Sequence, residues 1–166
     1  MPTASLFAAL LHALPAAQAA EPLPANSDKV VTSQVMVPCS IEQVQKHLAN
    51  AEVVTGLSPD VLSVDSTHVG NCERLTVSVK GLLSPMRYIT ERCPSAKGYT
   101  ERLLESEDFA TQSTDWELKS VEGGTQVTLR ILAMPKLPIP DSIIYSRVKA
   151  SSVNTLERFT ALVLKN

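Results

Sequence analysis

The chain is poor in glycine, and its glycines are arranged in no phosphate-binding pattern. There are six in 166 residues, and none forms G-x-G-x-x-G or a P-loop, so a backbone cradle for a nucleotide is not expected. Cysteine and histidine are equally sparse, at three each. No C-x₂-C occurs, and no histidine stands at ligand spacing from another, so neither a structural nor a catalytic zinc site is expected. His47 and His68 read as ordinary surface or core histidines, and His12 falls in a leader. A G-x-S-x-G elbow is missing, and no Ser/His/Asp arrangement can be argued from spacing. Basic residues do not cluster. The formal charge is −2, which excludes the basic footprint of a nucleic-acid binder. The acidic run Glu105-Ser106-Glu107-Asp108 is too short of ligands for calcium and reads as a solvated turn. No internal repeat or low-complexity segment is present.

Charge is missing altogether from residues 1–20, MPTASLFAALLHALPAAQAA. Leu6 to Leu14 is apolar except for His12, and Ala17-Gln18-Ala19 follows with the small side chains a signal peptidase accepts. The stretch is short for a bilayer span and is interrupted by Pro15. It reads as a signal peptide over 1–20, followed by a flexible leader over 21–28 and one domain over 29–166. A periplasmic or secreted location follows. No later stretch is apolar enough to cross a bilayer. Hydrophobic residues are 44% and charged residues 19%, the composition of a globular domain rather than a disordered one.

Local pattern then gives the elements. Lys29 to Val37 is rich in β-branched residues and reads as a strand. Ser40-Ile41-Glu42-Gln43 is a capping box that opens a helix to about Asn50, burying Ile41, Val44 and Leu48. The segment AEVVTGLSPD has room for one further helical turn. Strands follow at Val61–Val69, Cys72–Lys80, Met86–Cys93, Gly98–Ser106, Phe109–Lys119 and Thr125–Met134, separated by turn residues. Two registers can be set by arithmetic. Pairing positions that sum to 165 puts Val77 opposite Tyr88, Val79 opposite Met86, Arg74 opposite Glu91 and Cys72 opposite Cys93. Pairing positions that sum to 245 puts Trp116 opposite Leu129, Leu118 opposite Val127 and Asp115 opposite Arg130, the last as an ion pair. A one-residue slip would destroy every match together. In an exported chain the first register predicts a Cys72–Cys93 disulfide. Cys39 is left over, and reads as a buried thiol rather than a nucleophile.

The three prolines of Pro135–Pro140 end the sheet. Asp141 is expected to cap a long helix. On it Ile144, Tyr145, Val148, Ser151, Ser152, Thr155, Leu156, Phe159, Leu162 and Val163 share one broad face. The class is α+β, with a curved antiparallel sheet wrapped on the C-terminal helix.

Four stretches in this order, VMVPCSIEQVQKHLAN, LSPDVLSVDSTHVG, GGTQVTLRILAM and LPIPDSIIYSRVKASSVNTLERFTALV, resemble the START-related superfamily (SRPBCC, or Bet v 1-like). Its polyketide cyclase/dehydrase and coenzyme-Q-binding-like members are the most similar. The resemblance covers Val30 to Val163. It departs from the pattern at Gln45, where members often carry an aromatic residue, and in having paired cysteines with a signal peptide. The resemblance implies a helix-grip fold with an apolar cavity between sheet and long helix, used by members to hold lipids, isoprenoids, sterols or polyketides.

On this reading the cavity walls are Val77, Val79, Met86, Tyr88, Trp116, Leu129 and Ile131 from the sheet. Tyr145, Val148, Ser152 and Phe159 come from the helix, where small Ser151 and Ser152 leave volume unfilled. The expected function is an exported binding protein for a hydrophobic small molecule, without catalytic residues, cofactor or metal. It would act as a monomer, in transient contact with a membrane. Two alternatives stay open: a cyclase, hydratase or isomerase working in the same cavity, or an envelope interaction module with a filled core.

Overall fold

A computed structural model describes residues 22–24, 27–81 and 83–165. The signal-peptide reading over 1–20 lies outside the described residues. Chain order is β1 (Val31–Val37), α1 (Ile41–Leu48), α2 (Ala51–Gly56), β2 (Val61–Val69), β3 (Cys72–Val79), β4 (Met86–Ser95), β5 (Gly98–Glu105), β6 (Phe109–Val121), β7 (Gly124–Pro135) and α3 (Asp141–Leu164). The strands form one antiparallel sheet in the order β1-β7-β6-β5-β4-β3-β2. This is the α+β helix-grip architecture. Among the described residues its only long-range crossover carries the first strand to the edge beside the last, while every other pair is a hairpin neighbour.

Both expected registers are present. Val77 faces Tyr88 and Val79 faces Met86, while Trp116 faces Leu129 and Leu118 faces Val127. Cys72 and Cys93 are bridged, with Cα atoms 4.3 Å apart; Cys39 is free and half-buried. The capping box of α1 is complete, with the Gln43 backbone N–H donating to Ser40 Oγ and the Ser40 N–H donating back to Gln43 Oε1. The turn into β7 depends on glycine: Gly124 has φ +152° and its α-carbon lies against the Val37 carbonyl, where a Cβ would not fit.

Three expectations are corrected. Asp115 and Arg130 are opposite each other but take different partners. Asp115 accepts from Arg102 Nη1 at 2.6 Å, and Arg130 Nη1 donates to Glu117 at 3.2 Å. Long arginine side chains reach diagonally across the outer face, so strand pairing alone does not decide ion pairing. Asp141 does not cap α3. It is the first helical residue, Pro140 holds the cap position, and no side chain bonds there. Finally, the leader is not wholly free. Leu23 is buried, and its N–H donates to Asp115 Oδ2 at 2.6 Å, which fixes this part of the chain on the outer face of the sheet.

The interior lies on the concave face and has two ends. At one end Val37, Val44, Leu48, Trp116, Val127, Leu156, Phe159 and Val163 pack into one apolar cluster. At the other, Leu75, Val77, Tyr88 and Phe109 form a smaller cluster under α2. Between them a space is left open between the sheet and the first turns of α3.

Candidate functional site

That gap is a cavity of about 200 Å³. Its sheet wall contains Val79, Met86, Tyr88, Trp116, Leu129 and Ile131, and Val148 closes it from α3. The remaining sequence candidates lie elsewhere. Val77 faces inward but is covered in the smaller cluster. Phe159 is fully buried and packs on Trp116, with ring centroids 5.4 Å apart, at the closed end. Ser152 turns to β1, its Oγ 2.6 Å from Ser33 Oγ. Tyr145 is 46% exposed and borders an outer groove between α3 and the start of β1. The physical reason is helical phase. Residues 144, 148, 151 and 155 form one stripe toward the cavity. Residues 152, 156, 159 and 163 form the neighbouring stripe that packs on sheet and core. One residue step is about 100°, and the broad face expected from sequence merged the two stripes.

The cavity also has polar walls that the sequence reading missed. Glu101, Gln112 and Thr114 line it beside Tyr88 and Phe109. Glu101 is only 5% exposed, and its Oε1 accepts from Thr90 Oγ1 at 2.8 Å. Burial pushes its carboxyl above the ordinary range, against the opposing pull of the Thr90 hydrogen bond and of Arg92 and Arg102. Burial, with the nearby Glu101 charge, likewise holds the Tyr88 phenol well above its ordinary value. Tyr88 and Phe109 meet edge to face at 5.5 Å. Behind Glu101, and opposite it across the strand pair, is Arg92. This side chain is 2% exposed. Its Nη2 donates to the Leu48 carbonyl at 2.6 Å, its guanidinium lies 3.9 Å over the Tyr99 ring, and Glu73 is 3.8 Å away. Burial pulls the Arg92 value down and the neighbouring acids hold it up.

A signal for these groups existed. On β4, Arg92 shares parity with Tyr88; on β5, Glu101 shares parity with Tyr99 and Leu103; on β6, Gln112 and Thr114 share parity with Trp116. All were inward by alternation, but polar type argued for the outside. A β-bulge after Phe109 lets Phe109 and Gln112, of opposite parity, both reach the cavity.

The cavity shares walls with the outer groove. Ala133, Pro135, Leu137, Ile139, Ile144 and Val148 border both. The first turns of α3 and the Pro135–Pro140 segment therefore form a thin partition. It is held to the far side by Arg147, whose Nη2 donates to the Lys80 carbonyl at 3.0 Å and approaches Asp60 at 3.4 Å. Ser151 Oγ is 3.0 Å from Ser58 Oγ in the same seam.

Against solved structures the match is to one fold. A START superfamily protein from Mycobacterium smegmatis superposes with TM-score 0.71 at 15% identity, covering 82% of this chain and 97% of its own. The fold is that of START superfamily proteins. The Zhui aromatase/cyclase from Streptomyces sp. R1128 matches with TM-score 0.70 at 16% identity, over 82% of this chain and 93% of its own. A STAR-related lipid transfer protein from Xanthomonas axonopodis matches with TM-score 0.62 at 16% identity, over 86% and 97%. No family model matches the sequence, and no curated protein does so either. Among the described residues of this START-fold chain, no helix is long and apolar enough to cross a membrane.

Proposed function

We propose that the chain is an exported binding protein for a hydrophobic small molecule, held between the sheet and the first half of α3. The observation that carries this reading is the cavity itself. In a chain whose other interior end is close-packed, about 200 Å³ is left open behind mostly apolar walls. Ligand entry is through the partition formed by Pro135–Pro140 and the first turns of α3, which joins the cavity to the outer groove when it moves. The disulfide and the uncharged, A-x-A-ended first twenty residues support export. START-fold proteins named as a lipid transfer protein and as an aromatase/cyclase make a ligand-holding use of this cavity coherent.

Mass spectrometry of an organic extract from the protein purified from its own cell envelope tests the proposal. A stoichiometric lipid, isoprenoid or polyketide-like molecule is expected. An empty extract, together with unchanged Trp116 fluorescence on addition of apolar ligands, would refute it in favour of an interaction module.

Glu101 favours a second reading. A buried carboxyl with a raised pKa beside a phenol is a candidate general acid or base for cyclase, hydratase or isomerase chemistry. Conversion of the extracted ligand by the protein, lost in Glu101→Gln while binding persists, would support it.

A further inference from the structure

The walls of the cavity leave hydrogen-bonding capacity unused. Gln112 is 7% exposed. Its Nε2 donates to Thr114 Oγ1 at 3.2 Å, and among the described residues its Oε1 has no partner. A buried amide oxygen without a partner costs about as much as a lost hydrogen bond, so such atoms are rare and call for a cause. Here the side chain borders an open cavity, and a turn of its terminal amide that gives up the Thr114 contact would present the oxygen there. Glu101 borders the same space, with one carboxyl oxygen engaged by Thr90.

We infer, resting on the binding role proposed above, that the ligand is an apolar molecule bearing a hydroxyl group. The hydroxyl donates to Gln112 Oε1 and lies against the Glu101 carboxyl, while the apolar body fills the space under Val148, Ile131 and Met86. The chemistry fits a hydroxyl better than the alternatives. An alkane leaves Gln112 Oε1 orphaned. An ether or ketone has no hydrogen to give it. A carboxylate would have to give up its hydration among mostly apolar walls, beside a buried carboxyl that offers it no positive charge. Of these groups only the hydroxyl has a hydrogen to give the amide oxygen while bringing no charge into the site.

The test uses three ligands of equal heavy-atom count: octanol, heptyl methyl ether and nonane. Trp116 is the chain's single tryptophan and lines the cavity, so its fluorescence reports occupancy directly. Octanol is expected to bind about tenfold more tightly than the ether, the scale of one buried hydrogen bond. Gln112→Leu is expected to remove that preference while leaving nonane binding in place, and nonane binding shows that the variant is folded. Equal affinities for octanol and the ether, or an unchanged octanol preference in Gln112→Leu, would overturn the hydroxyl assignment and leave the binding role standing. An ether that outcompetes octanol would reverse the polarity of the site and overturn it too. No response to any of the three would overturn both.

Discussion

The two halves of α3 rest on the sheet in different ways. From Thr155 onward the helix is held by burial: Leu156, Phe159 and Val163 enter the main apolar cluster with Trp116 and Val127. Before Ser152 it is held by polar contacts, through Arg147 to Lys80 and Asp60, Ser151 to Ser58, and Lys149 to the Thr32 carbonyl. Its apolar side there faces a cavity instead of a partner. Apolar burial is lost steeply when a packed surface is opened, whereas exposed polar contacts are exchanged for water at little cost. A helix built this way is anchored at one end and free to open at the other. The proposed binding role would use that combination, because the cavity must admit its ligand without unfolding the domain.

The comparison is broken most severely at the anchored end. Phe159→Ala removes a fully buried ring and is expected to cost ~3–5 kcal/mol in denaturant unfolding. Val148→Ala, one stripe away and facing the cavity, is expected to cost about 1 kcal/mol or less, since fewer atoms touch it. Equal losses would mean that the first half of α3 is as tightly packed as the second. The next effect is in the sheet. Replacing Cys72 and Cys93 by serine opens a crosslink between residues 21 apart in sequence, and is expected to lower stability by roughly 3 kcal/mol. The bridge lies on the outer face of β3 and β4, so ligand affinity is expected to stay within about twofold. A matching loss of binding would place the cavity under the control of that hairpin.

Strand parity, register and the capping box of α1 were legible in the sequence, because each depends on residues adjacent in sequence or on one hairpin. Val77 opposite Tyr88 and the Cys72–Cys93 bridge are of this kind. The cavity was legible in outline through Met86, Tyr88, Trp116 and Ile131, which alternate inward on their strands. What failed was the phase of α3, where Ser152 and Tyr145 point toward β1 and its flanking groove. Which flank of a broad helical face meets the sheet depends on where the helix crosses, a tertiary property. The polar walls failed for a different reason. Neither Glu101 nor Arg92 stands out in the sequence, because charged type argues for solvent, and only the fold makes them partners across β4 and β5. Buried charge is the exception that a rule based on residue type must miss.

Glu101 gives a prediction with a definite sign. Its folded pKa is raised above the unfolded value, chiefly by burial. In that case the native state holds a proton that the unfolded state releases, and stability falls as pH rises from the unfolded pKa toward the folded one. Glu101→Gln removes the ionisation and keeps the hydrogen-bonding shape. Relative to the wild type, the variant is expected to gain stability as pH rises above the ordinary carboxylate range, and to show no such gain in acid. Urea unfolding of both proteins across that range measures the difference. A gain that instead appeared only at low pH would mean that Arg92 and Thr90, rather than burial, control the carboxyl.

The smallest thermodynamic effect is expected at the free end of α3, and there the comparison is sharpest. Arg147 is partly exposed, and its contacts to the Lys80 carbonyl and Asp60 are of the surface kind. Arg147→Met keeps the apolar stem and removes those contacts, so global stability is expected to fall by about 1 kcal/mol or less. Local opening should respond more. Amide hydrogen exchange in the first turns of α3, residues 143–150, is expected to speed up by up to about fivefold, while Leu156 to Val163 keep the wild-type rate. Ligand association should accelerate with it, because the same opening admits the ligand. If exchange rose equally along the whole helix, α3 would be opening as one body and the cavity would have to be entered elsewhere. If association slowed while the first turns loosened, Arg147 would belong to the binding site rather than to the latch.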